Sequence, residues 1–305
     1  MRHFSYRLLL LSLLLAACGP LSTAGTPAAG SILNVVATFS ILGDLVRAVA
    51  GDNVQLHTLV GPDGDTHTYE PIPADGVALA QANLVFENGL GFEIWLNKLY
   101  TASGSTARRV MVTTGVTPGK IAIGGEAGST DPHAWQDVTN AMSMVGIIRD
   151  SLAAQDPTHA AAYQANAAAY LKQLQELDAY IQQQATTLPA ERHKLVTNHD
   201  TLGYFAARYG FQVMGDVLGS VSTEASEPSA AEIARLIDEI KGAQVPAIFT
   251  ENIENAAVIR QVAQEAGVTV APPLYTDALG KPGTAGDSYL KMMRYNIDAI
   301  VAALK

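Results

Sequence analysis

Residues 157–187 read PTHAAAYQANAAAYLKQLQELDAYIQQQATT, with no internal glycine or proline and an excess of Ala, Gln, Leu and Glu, all compatible with helix. A helix of about 30 residues is about 45 Å long. Such a length suits a rigid spine between two lobes better than a flexible hinge. On either side of it short apolar runs alternate with amphipathic stretches, the pattern of strand-helix-strand units and parallel sheets. The predicted class is α/β: two lobes, each a parallel β-sheet flanked by helices, joined by one long rigid helix. A chain of 305 residues also exceeds the usual size of a single core.

Before the spine, strands are predicted near 33–38, 54–60, 84–87 and 110–113, and helices near 41–50, 74–81, 92–102 and 138–154. After it, strands are predicted near 194–197, 212–216, 247–250 and 268–271, with helices near 202–209, 230–242, 255–266 and 287–304. Pro246 fits only the first residue of a strand, and Pro272-Pro273 is expected to stop the last one.

The N-terminus has another character. Arg2 and Arg7 precede the apolar run Leu8 to Leu15, too short to span a bilayer permanently, and Ala16, Ala17 and Cys18 follow. This is a signal-peptide pattern, and Leu15-Ala16-Ala17-Cys18 resembles a bacterial lipobox, in which the cysteine is lipidated and becomes the new N-terminus. Cys18 is the only cysteine, so an internal disulfide is impossible and anchoring is its expected role. The small, turn-prone residues after it read as a tether whose ends lie on the order of 20 Å apart. The organisation expected is therefore signal peptide 1–17, lipidated tether 18–32, lobe 33–156, linking helix 157–187 and lobe 188–305. Loss of residues 1–17 removes two arginines and takes the formal charge from −10 to −12. An acidic exported body argues against nucleic acid and mildly favours cationic ligands.

In open parallel sheets ligands bind beyond the carboxyl ends of the strands. Four candidates stand there: His67 after the second strand, His133 in Asp131-Pro132-His133-Ala134-Trp135, His199 two residues after Thr197, and Asp277 after the last strand. Singly each has an ordinary reading, a solvated loop histidine or an N-cap aspartate. Jointly they are a metal-ligand set, since three of the six histidines beyond the signal peptide sit at strand ends. His57 falls inside a strand, His159 on the spine and His193 before a strand, so none is assigned. Asp65, Glu70, Glu251 and Asn252 are placed where a carboxylate or amide could orient a ligand imidazole. Trp135 could pack beside the ion or simply fill the core.

These motifs, with Tyr69-Glu70-Pro71, His199-Asp200-Thr201-Leu202-Gly203-Tyr204-Phe205, Glu227-Pro228-Ser229 and Leu274-Tyr275-Thr276-Asp277-Ala278-Leu279, resemble the metal-binding lipoproteins of zinc and manganese ABC importers. Older names for that family are adhesins and receptor antigens. The resemblance runs from about residue 33 to the C-terminus. It implies two lobes joined by one long helix, ligands at His67, His133, His199 and Asp277, an ABC permease and ATPase as partners, lipid anchoring at the cell membrane, and a monomer.

Three neutral imidazoles and one carboxylate are a closed four-coordinate set of the kind zinc favours, with net charge near +1 around a divalent ion. Manganese prefers more oxygen. In the resembled family a histidine in third place usually accompanies zinc and a glutamate manganese, although some three-histidine members take manganese or iron. The loop 115–130 lacks the histidine-rich insertion of many zinc-specific members. Zinc is the expected cargo, manganese the alternative, and ordinary imidazole pKa values near about 6.5 predict that affinity falls below about pH 6. A zinc hydrolase is disfavoured because catalytic zinc keeps an open position, and the chain has no His-Glu-x-x-His. An adhesin would not need four converging ligands.

Overall fold

The structure, a computed structural model, describes residues 32–121, 128–218, 220, 222–223, 229–253 and 257–305. The expected signal peptide, Cys18 and the tether lie outside them. The first lobe begins with β1 (Leu33–Phe39), which runs straight into α1 (Ser40–Ala50). There follow β2 (Val54–Val60), α2 (Pro73–Gln81), β3 (Leu84–Glu87), α3 (Leu96–Ser103) and β4 (Arg108–Met111). The strands form one parallel sheet in the order β2-β1-β3-β4. β1 is buried on both faces, as a parallel strand covered by helices must be. Val35, Ala37 and Phe39 join the core beneath α1, and Val36 joins Leu79, Val85 and Leu96 under α2 and α3.

A short antiparallel pair, β5 (Gly119–Lys120) with β6 (Thr130–Asp131), was not expected from the sequence; two residues per strand carry no period to read. α4 (Val138–Gln155) is capped by Asp137, whose carboxylate accepts the Thr139 N–H at 2.7 Å. The spine follows as α5 (Ala160–Ala185), 26 residues and about 39 Å long. It buries Tyr163, Ala167, Tyr170, Leu174, Leu177, Ile181 and Ala185, a stripe repeating every three or four residues. That stripe packs on α1 and α4 on one side and on the second lobe's α6 (Gly203–Tyr209) and α9 (Tyr289–Leu304) on the other.

The second lobe carries β7 (Lys194–Thr197) paired in parallel with β8 (Gln212–Asp216), and β9 (Ala247–Glu251) paired in parallel with β10 (Thr269–Leu274). β7 lies beside β9, and α7 (Ala230–Ala243) and α8 (Ala257–Ala266) pack outside. β10 is an edge strand. It runs through Pro272-Pro273 rather than stopping there, because both prolines are exposed and the register shifts between Ala271 and Leu274, so the ladder needs no N–H donor at those two positions. Two further boundaries differ from expectation. β4 starts two residues early, in register with β3. α3 starts at Leu96 rather than 92, because the Glu93 carboxylate accepts the Asn88 and Gly89 N–H groups and holds that segment as a turn.

Residues Ile32–Lys305 form one unit with a core continuous across both lobes, in which Trp135, Tyr163, Leu195, Phe205, Tyr289 and Ile297 all take part. No helix among the described residues is long and apolar enough to cross a membrane.

Candidate metal centre

Each of the four candidate side chains reaches the centre from the carboxyl end of a strand. His67 ends the loop after β2. Within that loop a Cβ on Gly64 would lie 2.8 Å from Val60 Cγ1 and 2.9 Å from the Gly61 carbonyl, so only glycine permits the turn. Asp65 Oδ1 then accepts the His67 backbone N–H at 2.9 Å. His133 follows β6 with the same geometry, its N–H donated to Asp131 Oδ1 at 2.8 Å. His199 follows β7, and Asp277 follows β10. Their donor atoms lie within 4.8 Å of one another, all four residues buried.

The spacing fits an ion. Asp277 Oδ2 is 3.1 Å from His67 Nε2, 3.1 Å from His199 Nε2 and 3.6 Å from His133 Nε2, and the His67 and His133 Nε2 atoms are 3.3 Å apart. A regular tetrahedron of ligands at zinc–nitrogen distance has edges of about 3.3–3.4 Å. The set can therefore hold one divalent ion with three imidazole nitrogens and one carboxylate oxygen.

Behind the donor atoms the rings are fixed by carboxylates. His133 Nδ1 lies 2.8 Å from Asp131 Oδ1, and His199 Nδ1 lies 2.9 Å from Glu251 Oε2. Each carboxylate fixes the proton on Nδ1 and frees Nε2 for a metal. Glu251 is anchored in turn, accepting the Asn198 and His199 N–H groups and, at 2.6 Å, the Thr276 hydroxyl. Asp131 has room because of Gly203, where a Cβ would come within 2.6 Å of Asp131 Oδ2. His67 is the exception: among the described residues no group bonds its Nδ1, and its ring rests edge-on against Phe92 at 4.9 Å. It is also the one donor side chain with exposed surface, 6% against 0% for the others.

The lobes meet at Thr276. Its carbonyl accepts both Trp135 Nε1–H at 2.9 Å and Gln136 Nε2–H at 3.0 Å, tying the His133 segment to the residue before Asp277. Trp135 thus does both things weighed for it: it fills the core and lies 5.4 Å from the His133 ring.

Charge follows the geometry. Burial works against a charged Asp277, but the His133 and His199 charges and hydrogen bonds hold its carboxyl well below the usual range. Burial likewise favours a neutral His133, yet the Asp277 charge and the bonds to Asp131 and Asp277 push it up to about 9. His199 is raised well above its ordinary value because Glu251 and Asp277 outweigh its burial. A divalent ion held here would lie among three carboxylates, that of Asp277 and those of Asp131 and Glu251 behind the rings.

Of the orienting groups expected from sequence, Glu251 does hold a ligand ring. Asp65 holds the His67 backbone instead, and its other oxygen accepts the Thr68 and Thr223 hydroxyls. Asn252 bonds Asp63 and the Ala278 carbonyl, and Glu70 is exposed. Sequence reasoning missed the roles of Asp131 and Thr201; the repeated Asp-x-His of residues 65–67 and 131–133 was the readable signal for the first. His57 is exposed on β2, His159 pairs with Asp156, and both ring nitrogens of His193 face backbone carbonyls, away from the centre.

The family model described as zinc-uptake complex component A, periplasmic, matches residues 35–303. The manganese-binding lipoprotein MntA of Halalkalibacterium halodurans is 37% identical over 302 residues, covering 99% of this chain and 98% of its own. The manganese ABC transporter substrate-binding lipoprotein PsaA of Streptococcus pneumoniae is 32% identical, with 89% of each chain covered. Among solved structures, the periplasmic zinc-binding protein TroA of Treponema pallidum superposes with a TM-score of 0.81 at 34% identity, covering 88% of this chain and 98% of its own. A manganese-bound periplasmic metal-binding protein from Candidatus Liberibacter asiaticus gives 0.79 at 29%, covering 89% and 99%. From β1 to α9, the chain belongs to the ZnuA family of metal-binding proteins.

Proposed function

We propose that this chain is the extracytoplasmic solute-binding lipoprotein of a metal ABC importer. It captures one divalent transition metal between its lobes with His67, His133, His199 and Asp277 and delivers it to a permease and ATPase complex. The observation that carries this reading is the convergence of three imidazole nitrogens and one carboxylate oxygen at tetrahedral spacing in a buried pocket. The ion is cargo. A fourth protein donor fills the position that catalytic zinc leaves to water, so the site binds rather than hydrolyses. The lobe organisation proposed is 33–156 and 188–305 about the linking helix. The protein acts as a monomer tethered through lipidated Cys18, in keeping with the lipoprotein names of its relatives.

Zinc is the first cargo on donor chemistry. Manganese is the second reading, favoured by the name of the 37% identical relative. Metal analysis of protein purified without added metal, followed by competition between the two ions, decides between them. One equivalent of bound metal is expected; no uptake of either ion overturns the reading. Cys18→Ser should release the protein from membranes with the metal site intact, and membrane retention counts against the anchor. Adhesion that survives replacement of all four ligands by alanine would favour an adhesin.

A further inference from the structure

We propose that Thr201 sets the coordination number of the site, and through it the choice of metal, by holding one oxygen of Asp277 away from the ion. The inference rests on the metal-site reading above. Asp277 is fully buried, and its two oxygens face different partners. Oδ2 looks toward the three Nε2 atoms at 3.1–3.6 Å. Oδ1 accepts the Thr201 hydroxyl at 3.0 Å, the one hydrogen bond to that oxygen among the described residues.

Neither partner is free to turn away. The Thr201 N–H donates to the His199 carbonyl at 3.0 Å, and the Thr197 hydroxyl donates to the same carbonyl at 2.8 Å, so the turn carrying Thr201 is locked to the ligand segment. Asp277 is held through the Thr276 carbonyl by Trp135 and Gln136. The carboxylate thus offers one oxygen, and the donor set among the described residues is three nitrogens and one oxygen. Zinc accepts four-coordinate tetrahedral sites readily, whereas manganese gains from additional oxygen donors. With its donor removed, Oδ1 is a buried unpartnered carboxylate oxygen, whose cheapest remedy is the ion itself. The carboxylate then chelates through both oxygens.

The test is Thr201→Val, which keeps the shape and removes the hydroxyl, beside Thr201→Ala and Thr201→Ser. Zinc and manganese affinities are measured by competition with a chelator, and each protein is also loaded with Co2+ for its visible spectrum. Without the hydroxyl, the preference for zinc over manganese should fall about tenfold, the size of one hydrogen bond to a charged group. The intense bands of tetrahedral Co2+ should weaken toward a five-coordinate spectrum. Thr201→Ser should keep the wild-type ratio and spectrum. Thr201→Ala carries the test if Thr201→Val does not fold. A wild-type metal ratio and Co2+ spectrum in the hydroxyl-free variant overturns the inference while the metal site stands. Failure of the wild type to bind any of the three ions overturns the site and this inference with it.

Discussion

Replacing Glu251 with glutamine changes one atom and should reverse the tautomer of His199. In the wild type Oε1 accepts two backbone N–H groups and lies 3.1 Å from His199 Nδ1, while Oε2 is nearer to Nδ1, at 2.9 Å, and accepts the Thr276 hydroxyl at 2.6 Å. Glutamine keeps its carbonyl toward the two N–H groups, which leaves its NH2 against Nδ1. The retained carbonyl is already shared by two N–H groups and is the farther partner of Nδ1, so Nδ1 is expected to accept from the NH2 and the ring proton to move to Nε2, the atom that faces the other donors. Binding metal restores the proton to Nδ1 and sets two donors against each other, losing a hydrogen bond worth about 1.5–3 kcal/mol. Affinity at pH 8 should fall about 10- to 100-fold, within the range for groups that orient ligands. The gap should narrow at pH 6, because Glu251 also stabilises the proton that competes with metal in the wild type. Chelator competition at the two pH values measures both effects. Equal affinity at pH 8, or a gap that widens in acid, refutes the argument.

Four further outcomes are expected. His67→Ala, His133→Ala, His199→Ala and Asp277→Ala should each shrink the rise in melting temperature that metal produces, since ligand bound only to the folded state stabilises by mass action; an undiminished rise in all four rejects the site. Metal affinity should keep rising from pH 6 to about pH 9, not level off near 7, because metal-free His133 holds its proton up to about 9. The same raised value gives metal-free protein a stabilising contribution that is whole below about pH 6.5 and lost as pH rises through about 9, visible as a falling melting temperature. Finally, Glu93 is pushed up to about 7, chiefly by burial. Its contribution is present below the ordinary glutamate value and lost as pH rises through about 7, so wild type should lose stability relative to Glu93→Gln between pH 5 and 8 in thermal melts.

The strands and the spine were legible because their signals are local. β1 is a run of apolar residues, and α5 has neither glycine nor proline to interrupt it. The four donor residues could be picked out because they stand just past strand ends. What could not be read was set by contacts across the chain. Pro272-Pro273 looks like a stop until β10 is known to be an edge strand with a shifted register. The turn before α3 depends on a Glu93 carboxylate turned inward, which a helical periodicity hides. Thr201 reads as an ordinary threonine beside a ligand; its meaning comes from Asp277, 76 residues away.

The unequal footing of the three imidazoles implies an order of events. His133 and His199 are braced by carboxylates and wholly enclosed, as is Asp277, and together they form a three-point cradle that stands ready before the ion arrives. Among the described residues nothing braces the ring of His67, and of the four donors it is the one with exposed surface. On the metal-site reading, an ion is expected to pass His67 before it meets the cradle, and the bond expected to close last is the one expected to open first on departure. Capture and hand-over are two directions of one latch.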